Sequence, residues 1–152
     1  MPMSSTEEQG RELSFDVPND LRAIETSVER IVDYGRSVGF NPDRLRLNLR
    51  VGLTEALANA MLYGNRQDPR KRVRVEATIT PAEIAVRITD EGIGFDPEAL
   101  PDPTLPANIM RSRGRGIFLI RHLMDHVEFN EKGNSIRMVL ANGPGGPVAE
   151  AS

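Results

Sequence analysis

A chain of 152 residues, 39% hydrophobic and 27% charged, has the length of one domain and enough apolar side chains for a core. Its net charge of -3 gives no sign of a nucleic-acid partner, and the absence of cysteine excludes disulfides, thiolate metal sites and a thiol nucleophile. No apolar run is long enough to span a bilayer and the first residues are too polar for a secretory signal, so a reducing cytoplasm is the expected location.

Met1–Gly10 is polar and reads as a disordered tail. Leu13, Phe15 and Val17 alternate, which predicts a strand ending at Pro18, with Asn19 as N-cap of a first helix. In that helix Leu21, Ile24, Val28, Ile31 and Val38 recur at helical spacing, and Gly39 is a natural stop. Asn41-Pro42-Asp43 starts a second helix, with a capping side chain, a proline in the first turn and an acid at the positive end of the dipole. Its apolar stripe is Leu45, Leu49, Leu53, Leu57 and Met61, and Gly64-Asn65 ends it. Glu55 and Asn59 lie four apart in this helix and share a face.

Asp68–Arg72 is a polar connector. Val73, Val75, Ala77 and Ile79, a turn at Thr80–Glu83, then Ile84, Val86 and Ile88 predict a hairpin that ends at Asp90. Phe95–Arg113 carries Pro97, Pro101, Pro103 and Pro106, which argues for a long lid or binding loop. Ile117, Ile120, Leu123 and Met124 predict a third helix behind a Gly114-Arg115-Gly116 turn. Val127 and Phe129, then Ile136, Met138 and Leu140, predict a second hairpin about Lys132-Gly133-Asn134. Asn142–Ser152 reads as a flexible tail, which leaves one domain over residues 11–141. The expected fold is an α+β sandwich, one mixed or antiparallel sheet with three helices on one face.

Three elements carry chemistry. A Glu/Asn pair on an otherwise apolar helix needs partners, because burying it unpaired is costly. Asp90 at a strand end, followed by Gly92 and Gly94, offers a carboxylate to an amine where the backbone can approach a ligand. Gly114-Arg115-Gly116, with Arg111 and Arg113 beside it, offers backbone N–H groups and positive charge to an anion. Singly, each has a plainer reading: a solvent-facing pair, a surface turn, a helix cap. Leu119 at the third glycine position argues against a dinucleotide fingerprint, and there is no Gly-Lys-Ser/Thr of a P-loop. His122 and His126 are spaced like zinc ligands but lack the intervening glutamate, and both are expected on the third helix. In order and together, the three elements describe a nucleotide site. Asp90 would read adenine, Asn59 would hold magnesium through its amide oxygen, and the Gly114–Gly116 amides and nearby arginines would take the phosphates. Glu55 would be left to work on a proton.

The same residues resemble the anti-sigma-factor serine kinase family, within the gyrase and histidine-kinase ATPase superfamily of Bergerat fold. The resemblance runs from about Phe15 to Leu140. Its boxes are Glu55-Ala-Leu-Ala-Asn59-Ala-Met-Leu-Tyr63-Gly64-Asn65, Asp90-Glu91-Gly92-Ile93-Gly94-Phe95 and Arg113-Gly114-Arg115-Gly116-Ile117-Phe118-Leu119-Ile120. It implies an ATP- and magnesium-dependent serine/threonine kinase, with Glu55 as base, that phosphorylates an anti-anti-sigma partner and otherwise sequesters a sigma factor. Relatives of this kind often act as homodimers. Tyr63 stands where many relatives have His, and Asn134-Ser135 replaces a common Thr-Thr from which a supporting contact to adenine, here through Ser135, would come. The rival expectation is a nucleotide-gated binding module of the same fold without kinase activity.

Overall fold

Period-two alternation in five segments becomes one antiparallel sheet in the computed structural model, which describes residues 10–94 and 112–143. The strands β1 (Arg11–Pro18), β2 (Arg72–Ile79), β3 (Glu83–Thr89), β4 (His126–Phe129) and β5 (Ser135–Ala141) lie in the order β1-β2-β3-β5-β4. Register aligns their apolar positions in rows. Phe15 pairs with Val75, Val75 with Ile88, Ile88 with Ile136 and Ile136 with Phe129. Since side chains alternate across a strand, these rows fall on one face. The other face is open and carries Glu12, Ser14, Glu76, Thr78, Arg87 and Arg137. Of the two sheet types expected, the antiparallel one is present, and the α+β sandwich stands.

Three helices cover the apolar face: α1 (Ile24–Ser37), α2 (Arg50–Asn59) and α3 (Ser112–Leu123). Helix α1 buries Ile24, Val28, Ile31 and Val32 in a core shared with Val75, Val86 and Met138. Its entry differs from expectation. Asp20, not Asn19, caps the short 3-10 turn Leu21–Ala23, accepting from the Arg22 amide at 2.9 Å. Asn19 instead donates to the Asp68 carbonyl at 3.0 Å.

Helix α2 is the centre of a longer helical run. Asn41 caps it as expected, its Oδ1 accepting from the Asp43 amide at 2.9 Å. Both flanks, Arg44–Leu49 and Ala60–Gly64, are π-helical rather than α-helical. The apolar stripe explains why this is accommodated. A fixed spacing of four residues drifts about 40° per step around an α-helix. The wider π turns rotate the stripe back, so that Leu45, Leu49, Leu53, Leu57 and Met61 are all buried.

The third helix starts earlier than the periodicity predicts. Gly114 and Gly116 lie inside α3, not in a turn ahead of it, because α3 begins at Ser112. His126 is not helical either: α3 ends at Leu123, and His126 opens β4, the edge strand, with its Nε2 3.2 Å from Glu128 Oε1. His122 stays on the helix, Nδ1 lying 3.0 Å from the Phe118 carbonyl. The expected lid over Phe95–Arg113 lies almost wholly outside the described residues, as do most of the two tails. Among the described residues, no helix is long and apolar enough to cross a membrane.

Candidate functional site

Strand β3, the central one, ends at Thr89, so Asp90 lies just past its end on the same face as Ile88, toward the helices. Its side chain is 9% exposed. Gly92 donates its backbone N–H to Asp90 Oδ1 at 2.8 Å. Beneath it lies the end of the second helical run. Any Cβ at Gly64 would collide with the Asp90 carboxylate, and any Cβ at Gly92 would collide with the Gly64 carbonyl. Only glycine lets the two segments interlock in this way. Gly94 closes the turn in a left-handed conformation, φ +90°, directly against the Lys132 carbonyl of the β4–β5 turn.

A cleft opens beside Asp90, about 360 Å³ including its mouth. Ala56 and Ala60 of the helix, Ile88 and Ile136 of the sheet, and Ile117 and Ile120 of α3 supply its apolar walls. Asp90, Asn59 and Asn134 supply polar atoms. An apolar slot with one buried carboxylate suits a flat heteroaromatic base that carries an amine. Ser135 also lines it, but its hydroxyl is 2.8 Å from Thr89 Oγ1 across the strand pair.

Glu55 and Asn59 are half-buried and face α3. A Cβ built on Gly116 would stand 2.9 Å from Glu55 Oε1 and 3.1 Å from Asn59 Nδ2. The first and third sequence boxes thus meet at one point, beside Asn59, which lines the cleft together with Asp90 of the second. The Asn59 amide nitrogen is buried with no hydrogen-bond partner. Such an atom costs free energy unless a ligand or a turned amide relieves it. Turning the carboxamide about its last bond would direct its oxygen, a hard ligand, to the same place. Arg115 is exposed on α3, Gly114 is buried, and the Arg113 side chain lies outside the described residues.

Three residues of this site escaped the sequence reading. Phe129 lines the cleft from the edge strand, with the Arg121 guanidinium 5.8 Å from its ring centroid. Asn130 builds the turn that bears Gly133, Asn134 and Ser135, its Oδ1 accepting from all three amides at 2.8, 3.0 and 3.1 Å. An Asx side chain before a glycine turn was the available signal. Asn65, the last residue of the first box, is fully buried beneath the Asp90 turn, where its sequence position suggested no role beyond a helix stop.

Residues 17–140 match the model of the histidine kinase-like ATPase domain. A curated relative named anti-sigma F factor, from Oceanobacillus iheyensis, is 32% identical over 96 residues, 59% of this chain and 65% of that protein. Another, the serine-protein kinase RsbW of Listeria monocytogenes, is 30% identical over 107 residues, 66% of this chain and 68% of that protein. The chain thus spans about two thirds of the length of these relatives. A chain in the crystal structure of the SiaB-SiaC complex from Pseudomonas aeruginosa has the same fold, with TM-score 0.59 at 15% identity, over 93% of this chain and 94% of that one. With the family model spanning β2 to β5 almost to its end, the three helices and all three boxes, the chain belongs to the histidine kinase-like ATPase domain family.

Proposed function

We propose that this protein is an ATP-dependent serine/threonine kinase that also acts as an anti-sigma factor. It would phosphorylate an anti-anti-sigma partner and otherwise hold a sigma factor. The observation that carries the reading is the meeting of Glu55 and Gly116 at Asn59, which lines the cleft with Asp90. Binding ATP does not need a carboxylate base, and in this reading Glu55 serves the phosphoryl acceptor. The names of the relatives, anti-sigma F factor and serine-protein kinase RsbW, support the same reading.

In this reading Asp90 accepts a hydrogen bond from the exocyclic amine of adenine, and the apolar walls enclose the ring. The α3 start, with Gly114, Arg115 and Gly116, would take the phosphates. Asn59 would hold a magnesium ion, which neutralises phosphate charge when bound. Glu55 takes the proton from a partner Ser or Thr hydroxyl as its oxygen bonds to the γ-phosphorus. The bond to the β–γ bridging oxygen breaks, and ADP leaves with that oxygen. Positioning and charge stabilisation supply most of the rate in such transfers.

ATP with magnesium is expected to raise the melting temperature, and GTP to do so much less. A ligand at one hundred times its dissociation constant adds about 2.7 kcal/mol to stability. The preference follows from Asp90, since adenine offers it an amine where guanine presents a carbonyl. Differential scanning fluorimetry reads the shifts, and equal shifts by both nucleotides would contradict the adenine assignment. Transfer of label from γ-labelled ATP to a partner captured from the source cell tests the kinase. Capture that depends on nucleotide, with no label transferred, would favour a nucleotide-gated binding module.

A further inference from the structure

Asn65 is a buried polar side chain that the proposed chemistry does not use. Its side chain is 0% exposed, so each of its polar atoms must find a partner or carry the cost. All of them do. Oδ1 accepts from the Glu91 amide at 2.7 Å, while Nδ2 donates to the Arg72 carbonyl at 3.0 Å and to Asn19 Oδ1 at 3.3 Å. An amide N–H on one side and a carbonyl on the other fix which end is oxygen. Ending the helix does not require this side chain. The Asn65 backbone already does that, its N–H donating to the Ala60 carbonyl at 2.7 Å to close the π turn. What the carboxamide adds is a grip on the peptide between Asp90 and Glu91.

Other contacts hold the same turn. The Gly64 Cα abuts the Asp90 carboxylate, and the Gly64 carbonyl abuts Gly92. Glu91 Oε1 in turn accepts from the Arg72 amide at 3.1 Å, so the turn is tied to the start of β2 as well. The π turn delivers both Gly64 and Asn65 to this position. A carboxylate that discriminates bases by one hydrogen bond needs its angle fixed to a fraction of an ångström, since such bonds weaken steeply when misaligned.

We infer that Asn65 is a positioning residue for base recognition, holding the Asp90–Gly92 turn so that the Asp90 carboxylate meets the adenine amine. Resting on the nucleotide reading of the cleft, it assigns adenine selectivity to a residue outside the cleft wall. Aspartate at this position could not donate to Arg72 and Asn19, and alanine would leave the Glu91 amide without its acceptor.

Calorimetry of the full chain with ATP, ADP and GTP tests this in four proteins: wild type, Asn65→Ala, Asp90→Asn and Asn48→Ala. Asn48 makes a comparable bond at the far end of the same helical run, donating to the Leu123 carbonyl at 2.7 Å. Asn65→Ala is expected to bind ATP and ADP roughly tenfold more weakly, by the same factor for both, with a smaller ATP-to-GTP ratio. Asn48→Ala is expected to melt earlier with affinity and ratio unchanged. Should Asn65→Ala not fold, Asn65→Ser, which keeps a small polar group, takes its place with the same expectation. Unchanged affinity and ratio in a folded Asn65 variant, with Asp90→Asn weakened, would overturn the inference alone. An equal loss in Asn48→Ala would also overturn it, by making the effect one of stability. A wild type that binds no adenine nucleotide, or an Asp90→Asn protein that binds normally, would remove the underlying reading as well.

Discussion

Glu55→Gln should retain near-normal ATP affinity and partner binding while phosphorylating its partner at least about a hundredfold more slowly, because a positioned general base contributes roughly 10²–10⁴-fold. The substitution is nearly isosteric, so the close approach of Gly116 to this side chain is preserved. Asn59, one helical turn on, keeps its place. Single-turnover transfer from labelled ATP reads the rate, and calorimetry on the same preparation reads affinity. Affinity falling in step with rate would make Glu55 a metal-site residue instead. A wild-type rate would remove the general-base mechanism, whatever the nucleotide affinity.

The second large effect is expected at Asp90. Asp90→Asn keeps the shape that fits over Gly64 and an oxygen for the Gly92 amide. What it loses is the charge that faces the base. Hydrogen bonds to charged groups are worth about 1.5–3 kcal/mol, so ATP affinity should fall about tenfold or more. The fold should persist, with an unligated melting temperature close to that of the parent. Unchanged affinity in the folded variant would take Asp90 out of the base site.

Much of this architecture could be read from the chain because its signals are local. Strand alternation at Val73–Ile79 and Ile84–Ile88 needs no tertiary information, and the hairpin it predicts is present in register. The same holds for the Asn41 cap. The order of the three boxes grouped Glu55, Asn59, Asp90, Ile117 and Gly116; Asn59, Asp90 and Ile117 line one cleft, and Glu55 approaches Gly116 beside Asn59. The missing parts depend on contacts distant in sequence. Nothing in Ala60–Gly64 announces a π turn; the wider turn is compatible with a stripe spaced by four, and it places Gly64 beneath Asp90. Asn65 read as a helix stop because its partners, Asn19, Arg72 and Glu91, lie on three other segments. The early start of α3 was obscured by Gly114 and Gly116, both poor helix formers, of which Gly116 packs closely against Glu55 and Asn59. His126 continued a helical spacing that the edge strand interrupts.

The pairing of Asp90 with Asn134 has a consequence for changes in chain length. Asp90 donates its N–H to the Asn134 carbonyl at 2.9 Å, and Asn134 Nδ2 returns a bond to the Asp90 carbonyl at 3.1 Å. The two residues are 44 apart in sequence, so this clasp closes a long excursion of chain that includes residues 95–111. Closure entropy grows only with the logarithm of length, and doubling a flexible excursion costs about 0.6 kcal/mol. For the clasp itself, a change in the length of chain that it closes is a small entropic term, whereas one residue gained or lost at Gly64-Asn65 would turn the Asp90 platform out of register. Sensitivity to chain length is thus concentrated at the Gly64-Asn65 end of the platform rather than in the chain that the clasp closes.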